Sequence, residues 1–201
     1  MTPEKKQPHE PNPRRATDLV MQLMAIPGRS GEEAEVARFI ERRLRQAGAP
    51  ASAVQRDAVH RRTPIGGNTG NLVFRLPGTR RAPRRMLSAH MDTVPVCLGS
   101  RPVRKGERVT SADKSTGLGA DDRAGAAVLL TTVLAIVRGK LPHPPLTILW
   151  VVQEEVGLFG ARHVKKSLLG GPKLAFNFDG GSAAKLTLGA TGGYRMTIDV
   201  R

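Results

Sequence analysis

The sequence predicts an α/β fold in which a mostly buried sheet is covered by helices. Apolar residues recur at helical spacing over residues 16–24, which indicates an amphipathic helix. Residues 124–137 are apolar on almost every side, which is typical of a helix buried against a sheet. Residues 146–152 form a nearly continuous apolar run, the pattern of a strand covered on both faces. Helices that alternate with buried strands predict an α/β sandwich with an α/β/α arrangement of three layers.

The other elements are predicted from local signals. Ser30-Gly31-Glu32-Glu33 has the form of a capping box, in which Ser30 is the N-cap and Glu33 reaches back to it. A second helix should follow and end before Gly48 and Pro50. We further expect strands at residues 71–76 and 86–90, a loop and hairpin at 95–117, a helix at 159–169, a buried strand at 174–178, and more exposed antiparallel strands at 185–188 and 194–200.

Composition limits the class of protein. The 201 residues suit one domain with a real core, and the formal charge is +15. A basic surface is compatible with nucleic-acid binding. However, the arginines are scattered in pairs, no helix is basic along its length, and aromatic residues that stack on bases are few. A solvated basic face is therefore the preferred interpretation, and nucleic acid and membrane are not expected as partners.

The N-terminal segment and the cysteine content indicate the cellular compartment of the protein. Residues 1–13 are polar and rich in proline, so we expect a disordered tail without a signal peptide. Cys97 is the sole cysteine, which excludes an intrachain disulfide and fits a reducing compartment. No apolar run approaches the length of a membrane span. The sequence thus predicts a cytoplasmic protein.

Acidic side chains and one histidine stand where the predicted strands end or the buried helix begins, the usual place for site residues in an open α/β sheet. Such a set can hold two zinc ions that share one carboxylate, while another carboxylate activates water. The residues are His90, Asp92, Asp121, Asp122, Glu154, Glu155 and Asp179.

Each motif taken alone has a commoner explanation. His90 and Asp92 leave the same face of a strand, as many surface hydrogen-bonded pairs do. One carboxylate of Asp121-Asp122 fits an N-cap, although two adjacent acids beside an apolar helix fit a metal-bridging carboxylate better. The prediction of a metal site therefore rests on all of the motifs occurring together.

Glu154-Glu155 follows the apolar run at residues 146–152. Neighbouring residues in an extended segment point in opposite directions, so the two carboxylates are expected to divide the work of metal binding and proton transfer. A polar strand end is the ordinary alternative.

Four segments in order resemble the dinuclear zinc exopeptidases related to peptidase T, a family that also includes aminoacylases and glutamate-releasing carboxypeptidases. These segments are S-A-H-M-D-T-V-P at 88–95, L-G-A-D-D-R-A-G at 118–125, Q-E-E-V-G-L-F-G-A at 153–161 and N-F-D-G-G at 177–181. The resemblance implies a zinc-exopeptidase catalytic domain over residues 14–191. It also implies that residues 192–201 begin an inserted lid and dimerisation domain, truncated here.

The resemblance also implies a role for each residue. His90 and Asp179 would bind one zinc, Glu155 would bind the other, and Asp121 would bridge both. Asp92 would orient His90, and Glu154 would be the general base. The peptide bond after the bridging aspartate is often cis in this family, so Asp121–Asp122 is expected to be cis.

The expected activity is hydrolysis of short peptides by a tripeptide aminopeptidase with two zinc ions, or with cobalt or manganese in their place. A full-length form should be a homodimer through the lid. No histidine follows His163, so the family's further ligand of the second zinc is missing and the activity of this chain alone is in doubt. A related deacylase or dipeptidase, a non-catalytic fragment and a basic binding module are the alternatives.

Overall fold

The computed structural model describes residues 12–192, 196 and 198–200. The predicted disordered tail falls almost entirely on residues 1–11, outside this described part. Asn12 caps the first helix, since its Oδ1 accepts a hydrogen bond from the Arg15 amide at 3.2 Å, and proline follows it at the first helical position. The helices are α1 (Pro13–Met24), α2 (Ala34–Gln46), α3 (Ala120–Gly139) and the short α4 (Phe159–Arg162).

A five-stranded mixed sheet forms the centre of the molecule in the order β1-β2-β6-β3-β7. Strands β6, β3 and β7 are parallel to one another, whereas β1 and β2 pair antiparallel and β2 pairs antiparallel with β6. Strands β4 and β5 form a separate hairpin, as the sequence predicts. The strands are β1 (Val54–Arg56), β2 (Leu72–Leu76), β3 (Arg85–His90), β4 (Pro102–Lys105), β5 (Arg108–Ser111), β6 (Leu146–Val151) and β7 (Leu174–Asn177).

The sheet lies between two layers of different size, which confirms the α/β/α prediction. Helices α1, α2 and α3 pack on one face and share a continuous apolar core with β2 and β6. Trp150 is fully buried there, and its indole N–H donates to the carbonyl of Ala126 in α3. The other face carries a smaller cluster, in which Val164 and Leu168 pack against the sheet. None of the helices in the described residues has the length and apolar character needed to cross a bilayer.

The capping-box prediction is wrong. Helix α2 begins after Glu33, which does not cap it; the amide of its first residue, Ala34, donates to Asn68 Oδ1 at 3.0 Å. The Ser30 hydroxyl instead donates to Asp92 Oδ2 at 2.6 Å, and Glu33 Oε1 accepts from the Gly31 and Gln153 amides. The local sequence has the pattern of a capping box, but the side chains of Ser30 and Glu33 form hydrogen bonds with Asp92 and Gln153, far along the chain.

The helix predicted at residues 159–169 is interrupted. α4 ends at Arg162, Lys165 is extended, and a 3₁₀ turn follows at Lys166–Leu169. This break lets Val164 and Leu168 both pack on the sheet.

The last predicted strands also differ from the structure. β7 is at the edge of the sheet, and all four of its residues are exposed, so the prediction of a buried strand there is wrong. The apolar run alone could not show that no described element covers it. Residues 185–188 form no strand. The strand predicted at 194–200 lies partly outside the described residues, and residues 196 and 198–200 are not in a strand.

Candidate metal centre

His90 is the last residue of β3 and is 1% exposed. Its ring Nδ1 lies 3.1 Å from the carbonyl oxygen and 3.3 Å from Oδ1 of Asp92. The other ring nitrogen, Nε2, lies 3.1 Å from Asp121 Oδ1. One side of the ring is thus oriented by Asp92, and the other faces a carboxylate that can share a metal ion with it.

Asp92 is completely buried and joins three segments of the chain. Its Oδ1 accepts from the Glu154 amide at 3.0 Å, and its Oδ2 accepts from the Glu155 amide at 3.2 Å and from the Ser30 hydroxyl. Burial acts to raise the pKa of this carboxyl, but the hydrogen bonds from His90, Ser30 and the Glu154 amide lower it overall. Asp92 is therefore held ionised beside the imidazole.

The Glu154-Glu155 pair is in a turn, not in extended chain, which corrects the sequence-based geometry. Gln153 has a positive φ of 56°, and the Glu154 carbonyl accepts from the amides of Gly157 and Leu158. Both glutamate amides point at Asp92. As a result both side chains reach the same site: a carboxylate oxygen of Glu155 lies within 4.8 Å of His90 and Asp121, and Glu154 Oε2 lies 3.9 Å from His90 Nε2.

Asp121 and Asp122 separate into two environments. The peptide bond between them is cis, as expected. The Asp121 side chain is 74% exposed and faces His90 Nε2. Asp122 is buried, and its carboxylate accepts from the amides of His90 and Gly125, so it ties β3 to α3. Asp122 fits the capping role that the sequence allowed for one member of the pair.

Asp179 follows β7 and approaches the same histidine. The Phe178 amide donates to the Ser88 carbonyl at 2.8 Å, which continues the pairing of β7 with β3 to the end of the strand. The Asp179 carboxylate lies within 4.8 Å of donor atoms of His90 and Asp122. Parallel pairing therefore brings the ends of two strands, and the two side chains beyond them, to one edge of the sheet.

The donor atoms fit a divalent metal. Two groups have their ligand atoms within 4.8 Å of one another: His90 with Asp121 and Glu155, and His90 with Asp122 and Asp179. One imidazole with several carboxylates is a donor set that suits zinc and also manganese or cobalt. These groups include all four predicted metal ligands and add Asp122, which the sequence did not assign to the metal.

Electrostatics explain why a cation belongs here. Burial and the nearby carboxylates Asp179 and Glu155 raise the pKa of Glu154, and burial with Asp121 raises that of Glu155. Burial also raises the pKa of Asp122 to about 7. Although burial lowers the pKa of His90, the attraction of Asp92, Asp122 and Glu154 raises it to about 9. A bound cation relieves the repulsion between these carboxylates.

Two supporting residues were missed from the sequence. Ser30, interpreted as a helix cap, holds Asp92. Arg123 follows the aspartate pair in α3 and is fully buried, with Nη2 donating to the Gly28 carbonyl at 3.2 Å. Burial lowers the pKa of Arg123 to about 10, although the nearby carboxylates of Asp92 and Glu33 act to raise it. An arginine next to the acidic pair in an otherwise apolar helix was the available signal for a buried counter-charge.

Comparison with known proteins identifies the family. The profile of Peptidase family M28 matches residues 71–194, well over half of the chain and all of the acidic motifs. The chain belongs to this peptidase family. The resemblance to zinc exopeptidases related to peptidase T is also confirmed, because the M28 chain is 33% identical over 81 residues to Peptidase T of Edwardsiella ictaluri, covering 40% of this chain and 19% of the relative.

Two further comparisons cover more of the M28 chain. It is 30% identical over 158 residues to the uncharacterized protein YqjE of Bacillus subtilis, covering 79% of this chain and 41% of that protein. A tripeptidase structure from Staphylococcus aureus superposes with a TM-score of 0.76 at 27% identity, over 85% of this chain and 44% of that one. The M28 chain thus has the fold of a zinc-exopeptidase catalytic domain and spans less than half the length of these relatives.

Proposed function

We propose that this protein is a metal-dependent exopeptidase that hydrolyses short peptides, of the tripeptide aminopeptidase type. The observation that carries the proposal is the convergence of His90, Asp121 and Glu155 within 4.8 Å, beside a buried Asp92 and a second glutamate. The resemblance to Peptidase T and to a tripeptidase structure supports this substrate class.

His90, Asp121, Glu155 and Asp179 are proposed as the metal ligands. Bound zinc would polarise a substrate carbonyl and make water more acidic. Asp92 fixes the imidazole through Nδ1, leaving Nε2 free to bind. It also holds the Glu155 amide and so places the Glu155 carboxylate.

Glu154 is proposed as the general base. Its side chain is 27% exposed, so water and substrate can reach it, and Oε2 lies 3.9 Å from His90 Nε2. Its raised pKa brings it nearer to neutrality, where a base can accept a proton from the attacking water and return it to the leaving amine. Glu155, one residue later, is left to bind metal.

Glu154→Gln tests this assignment. We expect the variant of the natural gene product to keep its zinc content and lose tripeptide hydrolysis by about 10²–10⁴-fold in kcat, since the amide cannot accept the proton. Glu107→Gln, which changes an exposed glutamate in the hairpin, is the matched control and should retain full activity. Unchanged turnover in Glu154→Gln would remove Glu154 from the mechanism, and absence of hydrolysis by the zinc-loaded wild type would overturn the proposed function.

Zinc is the proposed metal, with cobalt or manganese as candidates that the same donors accept. Elemental analysis of protein purified from its own cells distinguishes them. We also infer a cytoplasmic location from the lone Cys97, which fits a reducing compartment, and a homodimer for a full-length form from the resemblance. Fractionation and sedimentation of the natural gene product test these two inferences.

A further inference from the structure

A cavity of about 770 Å³ lies between two segments that the metal centre does not use. One wall is the end of β1 with the 3₁₀ turn Val59–Arg62, and the other is the end of α4 with the chain that follows it. We call it the basic cavity, because its lining includes Arg56, Arg61, Arg62, Arg162 and Lys165.

Within the described residues, most of the cations that line the basic cavity have no carboxylate partner. Arg56 forms an ion pair with Glu41, with Nε–Oε1 2.6 Å and Nη2–Oε2 2.8 Å. Asp57 is the one acidic side chain in the lining, and its carboxylate accepts from the amides of Val59 and Asn71 and from the Asn71 side chain. In the described part of the chain, no carboxylate lies within 4 Å of the four remaining cations, Arg61, Arg62, Arg162 and Lys165.

The two walls are fixed to each other. Arg62 Nη2 donates to the His163 carbonyl at 2.6 Å, across 101 residues of sequence. The Asn71 side chain donates both to Asp57 on one wall and to the Gly160 carbonyl in α4. Val164 and Leu168 anchor the second wall to the sheet. The four cationic residues therefore line one space whose walls are held at a fixed separation, although their side chains are exposed.

We propose that the basic cavity binds a small polyanion that carries phosphate groups. Its volume is within the range of about 300–1,000 Å³ that small-molecule sites occupy. Guanidinium groups match phosphate oxygens with paired hydrogen bonds, and Lys165 adds a point charge. An anion also relieves the mutual repulsion of the four cations. The described residues that line the cavity include no Phe, Tyr or Trp, and the His163 imidazole is its single aromatic ring, so it lacks the run of stacking platforms typical of a single-stranded nucleic-acid site.

Calorimetric titration with inorganic pyrophosphate tests the proposal on the whole chain. We expect one site per chain, with affinity at least tenfold weaker in Arg162→Gln/Lys165→Gln. Arg80→Gln/Arg81→Gln removes the same charge from exposed arginines elsewhere, and we expect its affinity to stay within about twofold of wild type. All four changed side chains are exposed, and thermal unfolding of each variant checks that it is folded.

Several results would overturn the proposal. If pyrophosphate affinity falls equally in both double variants, binding is due to the overall positive charge of the chain, +15, and not to the basic cavity. Binding that survives Arg162→Gln/Lys165→Gln but is lost in Asp121→Ala would place pyrophosphate at the metal centre. A short single-stranded oligonucleotide that binds more tightly, with the same dependence on Arg162 and Lys165, would make the cavity part of a nucleic-acid surface. Absence of binding at millimolar pyrophosphate would exclude the site.

Discussion

Asp92 is the residue that sets the geometry of the candidate centre. It orients His90, and it also holds the amides of both Glu154 and Glu155. In Asp92→Asn an amide N–H would face a backbone N–H donor, and the charge beside the imidazole would be lost. We expect zinc affinity to fall about 10–100-fold, measured by competition with a chelating dye. Asp18→Asn, at an exposed site on α1, should bind zinc as wild type does; an equal affinity in both variants would contradict the orienting role.

Glu33 makes the stability of the fold depend on pH. It is fully buried, and burial raises its pKa from 4.5 to about 7. The folded chain therefore binds this proton more tightly than the unfolded chain. The stability that this proton contributes is present in full below pH 4.5 and is lost as the pH rises through 7. The shift corresponds to about 3 kcal/mol.

Glu33→Gln should remove this contribution, because the side-chain carbonyl can still accept a backbone hydrogen bond and carries no proton to lose. In urea unfolding with chelator present, we expect the loss of stability between pH 5 and pH 8 to be smaller than in wild type. Glu107→Gln should keep the wild-type pH dependence. A pH dependence in Glu33→Gln that equals that of wild type would show that Glu33 is not its source.

At the scale of elements, the contact between α3 and the end of β7 depends on Gly125. A Cβ at this position would overlap the carbonyl oxygen of Phe178 and Oδ1 of Asp122. Gly125→Ala should therefore cost about 1–3 kcal/mol of stability and displace the segment that carries Asp179, which should weaken metal binding. Gly180→Ala is the control, since its Cβ would meet no atom within 4 Å. Chemical unfolding and zinc titration of both variants measure the two effects, and wild-type behaviour of Gly125→Ala would show that the strand end can move freely.

Elements with a strong internal pattern could be predicted from the sequence, and those set by distant contacts could not. The apolar runs of α3 and β6 identified both elements, because β6 is buried along its whole length and α3 buries most of its apolar side chains in the core, with Val128 exposed. The Ser30-x-x-Glu33 pattern suggested a local cap, yet its partners are 62 and 120 residues away. The exposure of β7 follows from its place at the sheet edge, which the composition of four residues cannot encode.

The same distinction applies to the candidate site. Its residues could be predicted because several acidic motifs occur together at the ends of predicted strands, in one order along the chain. The turn at Glu154-Glu155 could not be predicted, because it depends on the amides of both residues donating to Asp92, which lies more than 60 residues away in the sequence. The division between an exposed Asp121 and a buried Asp122 likewise depends on the His90 amide, which belongs to another strand.

At the scale of the whole molecule, a cluster of carboxylates is embedded in a strongly basic chain. Asp121, Glu155 and their neighbours repel one another around a single histidine, so a bound cation should stabilise the fold and not only serve chemistry. At a zinc concentration 100 times the dissociation constant, binding contributes about 2.7 kcal/mol. For a chain of this size that corresponds to an increase in Tm of about 5–10 °C.

Asp121→Asn should separate the two effects. Without metal, the variant should melt close to wild type, because the loss of repulsion near Glu155 is offset by the loss of the contact between Asp121 and the protonated His90 ring. With zinc, it should show little of the wild-type increase, because a ligand of the His90 group is lost. Scanning calorimetry with and without chelator measures both, and Glu107→Gln controls for the loss of one negative charge. A zinc-induced increase in Asp121→Asn equal to that of wild type would show that the cation binds elsewhere and that the carboxylates near His90 stabilise the fold by another route.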